Sequence, residues 1–180
     1  MDYYRNADKL EPVTGVSYNQ VLDVQRAAVG TEPVSLNDLK EWAKVDNSAD
    51  DGILTALIIA AREMCEKYTG VNFVARTVTA HVNNFNGGVY LPYGPVGTIT
   101  GLYDDDGNTI DYEVRGTEFK AVTSPRTAFK AIYTGGYSTT PEAFKTAIKA
   151  QALFLYENRG ETELKMSPIA QALLYPYKRI

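Results

Sequence analysis

The residues of this chain that could bind a metal ion lie in an acidic turn at residues 104–107, which reads Asp-Asp-Asp-Gly. Calcium prefers aspartate oxygens, and the EF-hand loop carries a glycine at its sixth position. Aligning Gly107 with that glycine puts Asp104 and Asp106 on ligand positions, but the first ligand position falls on Leu102, which offers no oxygen. We therefore predict a solvated turn, with a calcium site and an acidic patch that faces a channel as the alternatives.

Few other residues could bind a metal or take part in catalysis. His81 is the only histidine and Cys65 the only cysteine, so a zinc site or a histidine-based triad lacks partners, and no internal disulfide is possible. Neither Gly94-Pro95-Val96-Gly97 nor Gly135-Gly136 is followed by the lysine of a phosphate loop. Nothing selects one carboxylate pair for acid–base catalysis. We predict no enzymatic activity, no metal and no cofactor.

Composition bounds the class of protein. The chain has 180 residues, 44% hydrophobic and 22% charged, which fits one globular domain with a possible appendage. It has no long apolar run and no signal-peptide pattern, so we expect a soluble product made in the cytoplasm. The net charge of −4 argues against tight binding to the nucleic-acid backbone, which requires clustered basic residues.

Capping patterns place the helices. Ser35 with Asp38, and Ser48 with Asp51, have the spacing of capping boxes and predict helices over 35–45 and 49–69. Gly70 suits the left-handed position after the second helix. A third helix over 141–158 would begin with Thr140 as its cap, and a last helix would begin at Ser167 and be stopped by Pro176.

The second helix is predicted to have a buried apolar stripe and a solvent-exposed face. Arg62–Glu66 and Glu63–Lys67 are opposite charges four residues apart and are expected on the solvent side. The apolar residues expected to form the stripe are Ile53, Leu54, Leu57, Ala61, Met64, Cys65 and Tyr68.

Between the second and third helices the apolar period changes from helical spacing to alternation. Residues 74–82, 89–91, 98–103, 110–114 and 128–133 are predicted to form a small antiparallel sheet, with a hairpin turn at the acidic segment. The fold class is therefore α+β: about four helices with an inserted antiparallel sheet. We divide the chain into an N-terminal arm (1–32), a core (33–160) whose β insert spans 72–134, and a C-terminal helix and tail (161–180). Within the arm, only residues 17–28 could form a strand or a short helix.

Taken in order, the short motifs resemble those of one known family. They are Val34-Ser35-Leu36, Asp50-Asp51, Tyr68-Thr69-Gly70, Leu91-Pro92-Tyr93-Gly94-Pro95-Val96, Gly136-Tyr137, Pro141 and Tyr156-Glu157-Asn158-Arg159. This series resembles the head–tail connector (adaptor) proteins of long-tailed bacteriophages, also called DNA-packaging accessory proteins, over about residues 33–160.

The resemblance implies a structural protein with no enzymatic site. It implies a self-associated ring, most often of twelve subunits, in the neck of the virion after assembly in the host cytoplasm. Its partners would be the portal protein above and tail-completion or other neck proteins below. Genomic DNA would pass through without sequence-specific binding, and no membrane is involved. A neutral or acidic wall would let DNA pass, and Asp104, Asp105 and Asp106 are candidates to line it.

Two further sets of residues are predicted contacts. Ile59 and Leu153 lie on the polar sides of their helices, so we expect them at a subunit interface. The aromatic and basic tail is expected to contact the portal or an adjacent subunit through Tyr175, Tyr177, Lys178, Arg179 and Ile180.

Other functions remain open at this point. A monomeric binding module could use its β insert to hold a peptide, a sugar or a metal, and a tail-completion or neck protein could share the same build. A small enzyme using carboxylates and tyrosines is the third class. The binding module and the enzyme predict a monomer or small oligomer with a concave polar pocket, whereas the connector predicts a closed ring.

Overall fold

The computed structural model describes residues 21–83, 88–160 and 165–179. Four α-helices and eight β-strands follow one another along this part of the chain. The chain divides into two compact units, described here separately. The sheet unit comprises the described residues within 21–27, 77–92 and 96–134, and the helical unit those within 28–76, 93–95 and 135–179. No helix in the described ranges is long and apolar enough to cross a membrane.

The helical unit is built on α1 (Leu36–Ala43), α2 (Asp51–Thr69), α3 (Glu142–Glu157) and α4 (Pro168–Leu174). Helix α3 packs against the other three. The core has an aromatic centre, where Phe144 stacks on Phe73 with ring centroids 4.1 Å apart and meets the edges of Tyr137 and Tyr177. Such ring pairs stabilise a core beyond the area that they bury.

The sheet unit contains two antiparallel sheets where the sequence predicted one. The five-stranded sheet has the order β1-β2-β8-β4-β5, and the three-stranded sheet has the order β3-β7-β6. The strands are β1 (Val21–Arg26), β2 (Arg76–Asn83), β3 (Gly88–Tyr90), β4 (Val96–Tyr103), β5 (Thr109–Ile110), β6 (Glu113–Arg115), β7 (Ala121–Thr123) and β8 (Ala128–Gly135). Both sheets bury apolar side chains in one core, which includes Val78, Leu102, Val122 and Tyr133.

Several expectations about these strands need correction. Residues 110–114, predicted as one strand, are divided between β5 and β6, which belong to different sheets. Strand β7 was not predicted at all. Strand β1 lies inside the predicted arm and pairs with β2, so residues 21–26 form the strand alternative and not the helix. The arm as far as residue 20 lies outside the described residues.

The predicted capping residues are correct for α1 and α4 and wrong for α2 and α3, although all four helices begin within two residues of their predicted starts. Ser35 and Asp38 form the capping box, and Ser167 caps α4 by accepting the amide hydrogen of Ala170. Helix α2 begins after Asp50 with no side-chain cap, so the predicted Ser48–Asp51 box does not form. The Thr140 hydroxyl does not cap α3 and instead donates to the Phe73 carbonyl at 2.8 Å.

Candidate interaction surfaces

Several of the motifs that carry the family resemblance make stabilising contacts inside the helical unit. The Ser35 hydroxyl accepts the Asp38 amide hydrogen at 3.1 Å, and the Ser35 amide donates to the Asp38 carboxylate at 2.9 Å. The hydrogen bonds from Ser35, from its hydroxyl first and its amide second, hold the pKa of the Asp38 carboxyl below its usual value. The Val-Ser-Leu motif is therefore a helix start, with Val34 buried just before it.

The acidic pair and the Tyr-Glu-Asn-Arg motif meet each other. The Tyr156 hydroxyl donates to the Asp50 carboxylate, which raises the pKa of the phenol. The Arg159 guanidinium lies 4.4 Å from the centroid of the Tyr156 ring, and the Lys40 ammonium donates to Asp51 at 2.7 Å. These contacts fix the α1–α2 loop against the end of α3, so the two motifs are structural.

The Gly-Tyr motif marks a turn that only glycine can make. Gly136 has φ +115°, and a Cβ atom there would lie 2.5 Å from the Val74 carbonyl oxygen. Its amide donates to the Pro95 carbonyl at 2.8 Å, and the Tyr137 carbonyl accepts from the Ala75 amide at 2.8 Å. The turn holds three separate segments of the helical unit together.

We expect Gly136→Ala to lower the free energy of unfolding by about 1–3 kcal/mol, because an alanine there is strained and clashes with backbone. Urea denaturation measures the change. Gly160→Ala is the matched control, since a Cβ there meets nothing within 4 Å, and it should change stability by less than about 1 kcal/mol. Equal stability of the two variants would contradict this account of the turn.

A buried charged network joins α2 to the residues that flank it. Glu66 is fully buried and accepts hydrogen bonds from Arg62 at 3.0 Å, from Arg76, and from the Phe73 amide at 2.9 Å. Arg62 is also buried and donates to Glu32 at 2.8 Å. The Arg62–Glu66 ion pair therefore forms as predicted, but the prediction that it faces solvent is wrong, because the pair is buried.

The buried stripe of α2 is rotated from its predicted position. Ile58 is buried although it was not in the predicted stripe, and Ile53 is exposed although it was. The reason is the charged network, because burying Arg62 and Glu66 turns their side of the helix inward. Leu54, Ala61 and Cys65 are buried as predicted. Burial, and then the charge of Glu66, raises the pKa of Cys65 to about 12, so its thiol is a packing group.

The two predicted subunit-contact residues differ in exposure. Ile59 is 40% exposed on α2, while Leu153 on α3 is half-buried. Phe144, Ala147 and Ile148 form the buried face of α3, and Leu155 is only half-buried. An exposed isoleucine alone is ordinary, but Ile59 lies beside other exposed apolar residues of α2.

The C-terminal tail folds back on its own unit. The Tyr177 ring packs edge-on against Phe144 at 4.7 Å, Lys178 lies over the Tyr68 ring at 5.2 Å, and the Arg179 amide donates to the Thr69 carbonyl at 2.8 Å. Tyr175 is 73% exposed. Ile180 lies outside the described residues. Of the two aromatic residues among the predicted tail contacts, Tyr175 is thus the exposed one and Tyr177 is half-buried.

The acidic turn is a hairpin. Asp104 accepts hydrogen bonds from the Asn108 amide at 2.8 Å and from the Asn108 side chain, and these bonds, the backbone one first, lower the pKa of its carboxyl. Asp105 and Asp106 are exposed. No group of three or more His, Cys, Asp or Glu residues among the described residues is arranged to hold a metal ion.

A shallow cleft lies at the starts of α1 and α3 in the helical unit. Its charged groups all have partners within the chain: Asp38 with Ser35, Glu142 with Lys145 at 2.6 Å, and Lys149 over the Trp42 ring. Both carboxylates of the cleft are therefore already engaged by groups of the same chain.

Comparison with known proteins gives one consistent result. A family model described as "Phage gp6-like head-tail connector protein" matches residues 33–174. No curated protein matches the chain.

Three solved structures share the fold. "Neck of empty GTA particle computed with C6 symmetry" has a TM-score of 0.72 and 15% identity, covering 88% of this chain and 96% of its own. "Virion of native gene transfer agent (GTA) particle" gives 0.71 and 17%, covering 87% and 95%. "Neck of native GTA particle computed with C12 symmetry" gives 0.63 and 19%, covering 88% and 96%. At these identities the likeness concerns the fold.

Proposed function

Since this chain belongs to the family of phage gp6-like head–tail connector proteins, and so has a structural role in a virion, we propose that it closes into a ring that joins the head to the tail. The observation that carries the proposal is the family match over residues 33–174, which includes all four helices. The ring lies in the neck, docks beneath the portal, and meets tail-completion or other neck proteins on its far side. It assembles in the host cytoplasm and catalyses no reaction.

Ring symmetry supports the proposal. Two structures with the same fold are necks computed with C6 and C12 symmetry, and both symmetries describe closed rings. A ring of twelve copies satisfies either one. Ile59 and Leu153 are proposed to lie where neighbouring copies meet, because each apolar side chain would be partly shielded from water there.

A ring gives the acidic balance of the chain a physical role. DNA carries dense negative charge, so a basic wall would bind it and slow its passage, whereas an acidic wall does not. We place the hairpin with Asp105 and Asp106 at the wall of the channel. Asp105→Lys with Asp106→Lys should then slow ejection of the genome, and the slowing should weaken as salt is added. Normal ejection kinetics would remove the hairpin from the wall.

The function is tested by removing the protein from the producing cell. Particles made without it should accumulate as separate heads and tails in electron micrographs, and the gene supplied in trans should restore joined particles. Joined particles without the protein would overturn the connector function. Defective tails on otherwise joined particles would instead identify a tail-completion protein of similar build.

The tail contact has its own test. Tyr175→Ser removes the exposed ring and should reduce the yield of joined particles without altering the thermal unfolding of the purified protein. Tyr177→Ser is the matched control: it removes the ring packed on Phe144 and should lower the unfolding temperature. Unchanged joining with Tyr175→Ser would exclude this side chain from the portal or neighbour contact. The pair separates docking from folding, which deleting residues 175–180 does not.

A further inference from the structure

Helix α4 presents two apolar faces. Ala170 and Leu174 are buried on one side. On the other side Ile169, Ala172 and Leu173 follow the spacing i, i+3, i+4 and are exposed or half-buried, with Ile169 58% exposed. The exposed Pro176 follows in the 3-10 turn Tyr175–Tyr177 that succeeds the helix. We call these four residues the α4 stripe. Residues 166–177 contain no charged residue, although the chain as a whole is 22% charged.

The α4 stripe is held facing outward. The Gln151 side-chain oxygen Oε1 accepts the Ser167 backbone amide hydrogen at 2.6 Å, and its side-chain nitrogen Nε2 donates to the Lys165 backbone carbonyl at 3.0 Å, which fixes the start of the helix. Beyond the end of the helix, Tyr177 and Arg179 tie the chain to Phe144 and Thr69. A rigid apolar surface of this kind costs little entropy when it is covered.

A second uncharged face lies on the first half of α2. Ile53, Ala56, Ile59 and Ala60 share one side of the helix and are exposed or half-buried, with Ile53 44% exposed. We call these residues the α2 stripe. Residues 52–61 contain no charged residue. The exposed sides of α1 and α3 differ, because they carry Asp38 and Glu41, and Glu142 and Glu157.

The two stripes match each other. Each spans about two helical turns, roughly 10 Å, and each mixes large aliphatic residues with alanines that let helices approach closely. Neither carries a charge that the other would have to desolvate. A cyclic ring larger than a dimer also requires two different patches on every copy, because its contacts are head-to-tail.

We propose that in the ring the α4 stripe of one copy packs on the α2 stripe of the next copy. The proposal rests on the ring proposed above and adds which surfaces close it. The occupant is a second copy of this chain, since a head-to-tail contact needs a complementary partner patch and the α2 stripe supplies one. Ile59 and Ile169 then both lie in the contact.

Cross-linking between copies tests the pairing directly. The full chain carrying Ile59→Cys and Ile169→Cys is treated with a short bismaleimide, alone and mixed with its portal, and analysed on a denaturing gel. We expect a ladder of multimers, whereas each single-cysteine variant should stay monomeric because a head-to-tail contact never joins a position to itself. Cys65 is buried and does not compete. Leu22→Cys paired with Ile59→Cys is the control, since Leu22 is 72% exposed but lies on β1.

Each outcome decides a different point. Rings that give no ladder of cross-linked multimers would overturn the α2–α4 pairing but not the ring. Cross-linked dimers of the Ile169→Cys variant alone would do the same, because they indicate that α4 packs on another α4. Monomers of the unmodified chain, both alone and with the portal, would overturn the proposed ring itself.

A charge exchange provides a second readout that does not depend on cross-linker reach. Ile59→Glu and Ile169→Lys should each convert rings into monomers, because each buries one charge against an apolar face. The double variant places a Glu and a Lys together in every contact and should regain rings. Rings in both single variants, or a double variant as monomeric as they are, would contradict the pairing.

Discussion

We expect Glu66→Gln to lower the free energy of unfolding by about 3–5 kcal/mol, since it breaks a buried ion pair and leaves its partners behind. The Glu66 carboxylate lies between the guanidinium groups of Arg62 and Arg76, with none of its side chain exposed. Glutamine keeps the shape and an acceptor for the Phe73 amide, so the loss reports the charge. Urea denaturation of the purified protein measures it.

Glu63→Gln on the same helix is the matched control. Glu63 also lies near Arg62, at 3.5 Å, but its side chain is exposed. An exposed ion pair contributes at most about 1 kcal/mol. If the Glu66 and Glu63 variants lost the same stability, the network would not be holding the residues around α2 together.

The second large effect is on assembly. Ile59→Lys together with Leu153→Lys should convert the ring into monomers, because two ammonium groups would have to be desolvated at every contact between copies. Light scattering gives the mass directly, and the expected change for a ring of twelve is about twelvefold. Because Leu153 is half-buried, thermal unfolding must first establish that the double variant folds.

The control for this pair is Leu22→Lys, which places the same charge on an exposed apolar residue of strand β1. It should leave the mass unchanged. An unaltered mass for the Ile59 and Leu153 variant, with its fold intact, would take both residues out of the interface.

The features that the sequence predicts well are local ones. The capping box at Ser35, the left-handed Gly70 after α2, and the hairpin at the acidic turn each depend on residues within a few positions of one another. The α+β class and the connector family could be predicted because several such signals occur in order along the chain.

The sequence predictions fail where burial or strand pairing depends on residues that are far apart in the sequence. Arg62 and Glu66 have the spacing of a surface pair, and nothing local shows that Glu32 and Arg76 complete a buried network around them. The division of residues 110–114 between two sheets depends on pairing with β4 and β7, which the alternation of apolar residues does not encode.

The α4 stripe is a different case, because its signal was present in the sequence. The run without charge at residues 166–177 marks it, but the expectation centred on the aromatic and basic residues of the tail. The structure separates the two, since the half-buried Tyr177 packs on Phe144 while Ile169 faces solvent.

Electron microscopy of the purified full chain, alone and mixed with its portal protein, tests most directly whether copies of this protein assemble into a closed ring. We predict closed rings of uniform size, at least when the portal is present, seated coaxially beneath it. Single, unassociated molecules under both conditions would contradict the account.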